Sequence, residues 1–148
     1  LLLPMKSDVL GREKEFKVFF EGDSGTIEFL DSIKKAMPDI KMESPDICLL
    51  KDYNCLLAIT SSESPSENLK RFLLAGKQVV TNYKIPYANF IAIDGKGIST
   101  YKGKIIDEIR HCYRLWERKK TNKEAQEYYI NLLNPQKYKS EVQKLLNP

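Results

Sequence analysis

Apolar positions along this chain follow two alternating rhythms. Apolar-rich runs, Phe16-Lys17-Val18-Phe19-Phe20 and the continuous Cys55-Leu56-Leu57-Ala58-Ile59, are separated by stretches in which every third or fourth residue is apolar. Runs bounded by turn residues mark buried strands, and the longer spacing marks amphipathic helices. Gly22-Asp23-Ser24-Gly25 ends the first strand, and Thr26 is placed to cap the helix that follows. Ile27, Phe29, Leu30, Ile33 and Met37 line that helix until Pro38 stops it. Ile40-Lys41-Met42 predicts a short strand, and Ser44-Pro45-Asp46 opens a turn or short helix through Ile47 to Leu50.

After Cys55-Ile59, the turn Ser61-Ser62-Glu63-Ser64-Pro65 leads to Ser66, a second N-cap residue. Leu69, Phe72, Leu73 and Ala75 form the inner face of the next helix, Gly76 stops it, and Gln78-Val79-Val80 predicts a strand. Tyr83 to Asn89 reads as a loop around Pro86, and Phe90-Ile91-Ala92-Ile93 as a further strand closed by Asp94-Gly95-Lys96-Gly97. Ile105, Ile106, Ile109, Cys112, Tyr113 and Trp116 mark a helix from Gly103 to Lys119, a second starts at Asn122, and a third follows Pro135. Strands alternating with helices imply an α/β, Rossmann-like domain over residues 1–120: a mostly parallel sheet with helices on both faces. Residues 121–148 form the C-terminal helices expected to pack on it.

Bulk properties add boundaries to this picture. At 148 residues, 42% hydrophobic and 30% charged, the chain is large enough for one real core and far from the composition of disorder. Cys48, Cys55 and Cys112 are odd in number, lie among apolar residues and show no metal-ligand spacing. A reducing, cytoplasmic setting is expected, with no metal and no cofactor. The longest apolar runs fall well short of the ~20 residues a bilayer demands, so no transmembrane segment is expected. Because the sequence starts at Leu1 rather than Met, it reads as a piece of something longer.

The net charge of +4 is unevenly spread, with Arg110, Arg114, Arg118, Lys119, Lys120 and Lys123 close together. A solvated helix face near its C-terminus explains them without a partner. Aromatic residues for base stacking are not interleaved with them, so nucleic acid is not expected as a partner.

Two loops stand at the carboxyl ends of strands, where open α/β sheets hold their ligands. Gly22-Asp23-Ser24-Gly25 could cradle a phosphate with free amides, although a plain tight turn explains it and Glu21 and Asp23 oppose an anion. Ser61 to Ser66 is rich in hydroxyls, which suit either a polyhydroxylated ligand or a capping turn. His111 has no partner carboxylate or nucleophile at a motif spacing. Catalytic residues are not assignable from these patterns.

The segment running from Ser62-Glu63 through the helix to Ala75-Gly76-Lys77-Gln78-Val79-Val80-Thr81-Asn82 resembles the C-terminal, donor-binding domain of GT-B fold glycosyltransferases. That resemblance implies a nucleotide sugar as ligand, its diphosphate near Gly22 and its sugar and ribose near Ser62 and Glu63. Arg71 stands where many retaining members carry a second glutamate, leaving Glu67 as the nearest acidic substitute. It also implies a second Rossmann-like domain or partner chain carrying the acceptor site. On this reading Gln78 to Val80 is a strand inside the sheet and Phe90 to Ile93 extends it.

A second likeness is to a divergent BRCT domain, a small parallel-sheet module that binds partner proteins. It rests on strand Phe16-Phe20, helix Ile27-Met37, short strands, then Asn68 to Lys77 and Tyr83-Lys84-Ile85-Pro86. In that alignment the tryptophan of the last helix falls on Asn68, and Lys77 to Val80 leaves that helix as an exposed tail. Glu21 takes the place of the Ser or Thr that holds a phosphate. The module is then expected to lack a phosphopeptide pocket, since a carboxylate repels phosphate.

Overall fold

The computed structural model describes residues 15–61, 66–93 and 98–133. Five strands form one all-parallel sheet in the order β2-β1-β3-β4-β5: β1 Lys17–Glu21, β2 Lys41–Glu43, β3 Cys55–Ala58, β4 Gln78–Thr81 and β5 Asn89–Phe90. The α-helices are α1 Ile27–Ala36, α2 Glu67–Leu74, α3 Lys102–Glu117 and α4 Lys123–Leu133. The α/β, Rossmann-like architecture expected from the hydrophobic pattern is therefore present.

Side chains alternate across a strand, and here the alternation sorts them into two cores. Val18 and Phe20 of β1, Cys55 and Leu57 of β3, and Val80 of β4 face α1 and α3, where they meet Leu30, Ile33, Ile105, Ile109 and Cys112. Phe19, Leu56, Ala58 and Val79 face the other way, onto Leu69, Phe72 and Leu73 of α2 and onto Ala125 and Tyr129 of α4. Every residue of β3 is buried, which is why its sequence is an unbroken apolar run.

Several details differ from expectation. No α-helix joins β2 to β3 among the described residues; residues 44–54 cross over β1 with only a 3-10 turn at Leu50–Asp52, pinned to the second core by Cys48 and Tyr53. Thr26 and Ser66 precede α1 and α2 but make no side-chain cap hydrogen bond; both hydroxyls are turned towards other partners, Ile59 O and the Glu21 carboxylate. The strand expected over 90–93 is reduced to Asn89–Phe90. Its last pairing is Ile91 N–H to Thr81 O at 2.8 Å. Asn68 lies near the start of α2, ahead of β4, so it does not stand in a last helix; the chain's tryptophan, Trp116, belongs to α3 and packs on Phe16 and Tyr113. Lys77 to Val80 is no exposed tail either, since Val79 and Val80 are fully buried inside the sheet.

Two helices end in the same motif. Gly76, at φ +72°, donates to Leu73 O while Lys77 donates to Phe72 O, and the left-handed residue satisfies the last carbonyls. Lys119, at φ +57°, does the same for α3 with bonds to Trp116 O and from Lys120 to Leu115 O. The chain then returns along α2, with Asn122 donating to Gly76 O at 2.7 Å and the Tyr129 hydroxyl donating to Pro86 O at 2.7 Å. The part of 121–148 that is described thus packs on the domain as α4; the helix expected after Pro135 and the turn Asp94 to Gly97 lie outside the described residues.

Candidate functional site

From β1 the chain passes over one side of the sheet to β2, and from β3 over the other side to β4. This divergence makes the carboxyl ends of β1 and β3 the place where a ligand crevice opens in such folds. The first loop singled out from sequence, Gly22 to Gly25, and the described ends of the second, Ser61 and Ser66, meet there. Gly22 is half-buried and Glu67 is exposed in the first turn of α2, while Ser62 and Glu63 lie outside the described residues.

The structure fills this crevice with its own groups. A Cβ on Gly22 would come within 2.5 Å of Leu30 Cδ1, closer still to Thr26 Oγ1, and to 3.1 Å of Ile59 O. Glycine is required here for packing against the protein itself. The Thr26 hydroxyl, 2% exposed, donates to Ile59 O at 2.6 Å and accepts from Asp23 N–H at 3.0 Å, tying α1 to the end of β3.

Asp23 holds the two loops together. Its Oδ2 accepts from Ser61 Oγ at 2.6 Å and Ser61 N–H at 2.7 Å, and its Oδ1 accepts from Gly25 N–H at 3.0 Å. The Ser61 hydroxyl first, then the Ser61 amide, hold this carboxyl down at about 2. The amides of Thr26 and Ile27 both donate to Asp23 O. Amides that a phosphate would need are therefore turned inward, and a permanent negative charge stands among them.

Glu21 makes the second tie. Its carboxylate accepts from the Ser66 hydroxyl and from Asn68 Nδ2, the latter at 2.9 Å. Arg71 extends the chain of contacts, donating to Asn68 Oδ1 at 2.9 Å and to Cys48 O at 3.3 Å. On the other flank the Asn82 side chain accepts from Thr60 N–H at 3.1 Å and donates to Thr60 O at 2.7 Å. Apart from the Arg71–Asn68 contact within α2, these pairs span 22 residues or more of sequence, so no local spacing announced them.

Of the sequence candidates among the described residues, Gly22 is a member of this cluster and Glu67 is next to it with an exposed side chain. The residues that reasoning from sequence missed are Glu21, Asp23, Ser61 and Asn68 acting as struts. His111 is exposed on α3. Among the described residues no group of His, Cys, Asp and Glu could hold a metal ion. All three cysteines are buried and free; burial raises the Cys48 thiol, and a hydrogen bond with Cys112 followed by burial raises Cys55. Such thiols are poor nucleophiles. No helix among the described residues is long and apolar enough to cross a membrane.

No family model, curated protein sequence or solved structure matches this chain.

Proposed function

We propose that this chain is a protein-interaction module of BRCT-like type without a phosphopeptide pocket. The observation that carries this reading is the Glu21 carboxylate at the end of β1, satisfied by Ser66 and Asn68. In the resemblance that position belongs to a residue binding phosphate; here the protein supplies a carboxylate of its own, beside an Asp23 that stays ionised down to about pH 2. An incoming phosphate would meet two like charges and a loop with its amides already spent.

The competing reading is a nucleotide-sugar donor domain. In its favour, β4 lies inside the sheet and β5 extends it, as that reading expects. An inner parallel strand, however, belongs to many modules, and fold by itself does not choose a function. Gly22, near which the diphosphate would come, packs its Cα against Thr26, Leu30 and Ile59 of the protein itself.

One pair of titrations tests the proposal. Calorimetry with UDP- and GDP-sugars is expected to give no saturable heat, and peptide arrays are expected to show binding that does not improve when serine or threonine is phosphorylated. Saturable nucleotide-sugar binding that Glu63→Ala removes would overturn the proposal in favour of the donor domain.

A further inference from the structure

The opposite end of the sheet is built differently. At the amino ends of β3 and β4, the closing turns of α2 and α3 diverge and leave a cavity of about 240 Å³ whose walls include Ala75, Gln78, Cys112, Trp116, Lys119 and Lys120. Small-molecule pockets usually run to about 300–1,000 Å³, so this one is small for a nucleotide or cofactor. It suits one large apolar side chain, the kind of buried anchor that dominates protein interfaces.

The charges around it are one-sided. No carboxylate lines the cavity. Residues 114–123 carry Arg114, Arg118, Lys119, Lys120 and Lys123, all exposed, against Glu117 alone. Lys77, also in the wall, sends its ammonium to Leu50 O and Tyr53 O. Lys119 and Lys120 have no ion-pair partner among the described residues. The buried Trp116 Nε1–H likewise has no hydrogen-bond partner among them.

We propose that this amino-end cavity docks an acidic peptide segment of a partner protein, which inserts one large apolar side chain between α2 and α3 and sets its carboxylates against Arg118, Lys119 and Lys120. This inference rests on the interaction-module reading and gives that module its binding face. Anchor and charge do separate jobs: the side chain supplies affinity by leaving water, and the basic rim supplies orientation and encounter rate. The carboxyl-end crevice, filled by its own side chains, plays no part.

Trp116 is the chain's single tryptophan and forms part of the wall, so its emission reports on occupancy. The probes are fluorescein-labelled peptides with one phenylalanine flanked by three acidic residues on each side, the same peptide with alanine at the anchor, and the phenylalanine peptide with lysine flanks. The first is expected to bind saturably, to change Trp116 emission, and to weaken as NaCl is raised. The alanine and lysine forms are expected to bind at least tenfold more weakly, and K119E/K120E to weaken the first peptide at least tenfold at an unchanged melting temperature. Ala75→Leu, which fills the cavity without altering charge, is expected to do the same and serves as the second variant if the double lysine change impairs folding. Absence of saturable binding by the acidic phenylalanine peptide would overturn the proposal, as would equal binding of the alanine form, which means surface charge attraction alone. A displayed random-peptide selection separates the levels: binders indifferent to K119E/K120E and Ala75→Leu overturn this site while leaving the module reading in place, whereas nucleotide-sugar binding overturns the module itself.

Discussion

Replacing Gly22 by alanine adds one methyl group, yet it should be among the more damaging small changes in the chain. The new Cβ is directed at Thr26 Oγ1 and Leu30 Cδ1, both nearer than carbon and oxygen atoms can sit, with Ile59 O at 3.1 Å behind them. Thr26 is 2% exposed and Leu30 fully buried, so neither can swing into solvent. Overfilling a packed core costs about 1–3 kcal/mol. Displacing the Thr26 hydroxyl from its 2.6 Å bond to Ile59 O adds about 1 kcal/mol for a lost internal hydrogen bond.

Together these give a loss of about 2–4 kcal/mol, which for a chain of this size lowers the melting temperature on the order of 5–15 °C. Urea unfolding of Gly22→Ala should show a lower midpoint at an unchanged slope, since the surface exposed on unfolding is the same. Adding Leu30→Val removes the clashing carbon, so the double variant should be less destabilised than the sum of its parts by more than about 0.5 kcal/mol. A Gly22→Ala protein within about 0.5 kcal/mol of the parent, the range of an ordinary surface change, would refute the packing account and leave the glycine free for a ligand.

Further outcomes follow from other sites. Asp23 is held at about 2 against its ordinary 3.8; because the folded value is the lower one, its contribution is complete above about pH 4 and disappears as pH falls through 2. Acid unfolding curves should therefore show a loss in that window that Asp23→Asn reduces, and an Asp23 carboxyl titrating near 4 by NMR would contradict it. Lys119→Gly should stabilise the domain by about 0.5–1 kcal/mol in thermal or urea unfolding by relieving the left-handed backbone, while Gly76→Ala should cost about 1 kcal/mol or more. Tyr129→Phe removes the hydroxyl bonded to Pro86 O and should cost about 1 kcal/mol, with hydrogen exchange rising in α4.

The architecture was legible because the hydrophobic pattern and the tertiary structure agree. Cys55 to Ile59 is apolar at every position because β3 has a core on each side, and Gly76 stops α2 where a left-handed residue is required. Local rules failed where tertiary contacts took the same atoms. Thr26 and Ser66 carry good capping hydroxyls, but Ile59 O and the Glu21 carboxylate claim them first. Phe90 to Ile93 has the composition of a strand, yet Phe90 is 41% exposed at the sheet edge and pairing ends after Ile91. The first loop and the described ends of the second do meet at the carboxyl ends of β1 and β3, but the partners that join them, Ser61 to Asp23 and Ser66 and Asn68 to Glu21, lie 38 to 47 residues away, beyond the reach of any spacing rule.

Two features of that crevice oppose an anion, and they can be separated. One is charge, from Glu21 and Asp23; the other is shape, from the contacts of Gly22 and the inward-turned amides of Gly25, Thr26 and Ile27. Glu21→Gln and Asp23→Asn together remove both charges while each new side-chain oxygen can still accept from Ser66 and Ser61. If charge alone excludes anions, the double variant should gain saturable binding of inorganic phosphate, seen as phosphorus line broadening and a rise in melting temperature with phosphate concentration. The expected result is no such gain, because the amides of Gly25, Thr26 and Ile27 remain bonded within the loop. Phosphate binding in the double variant would show instead that the crevice is a binding site closed only by its two carboxylates, and would return the search for function to this end of the sheet.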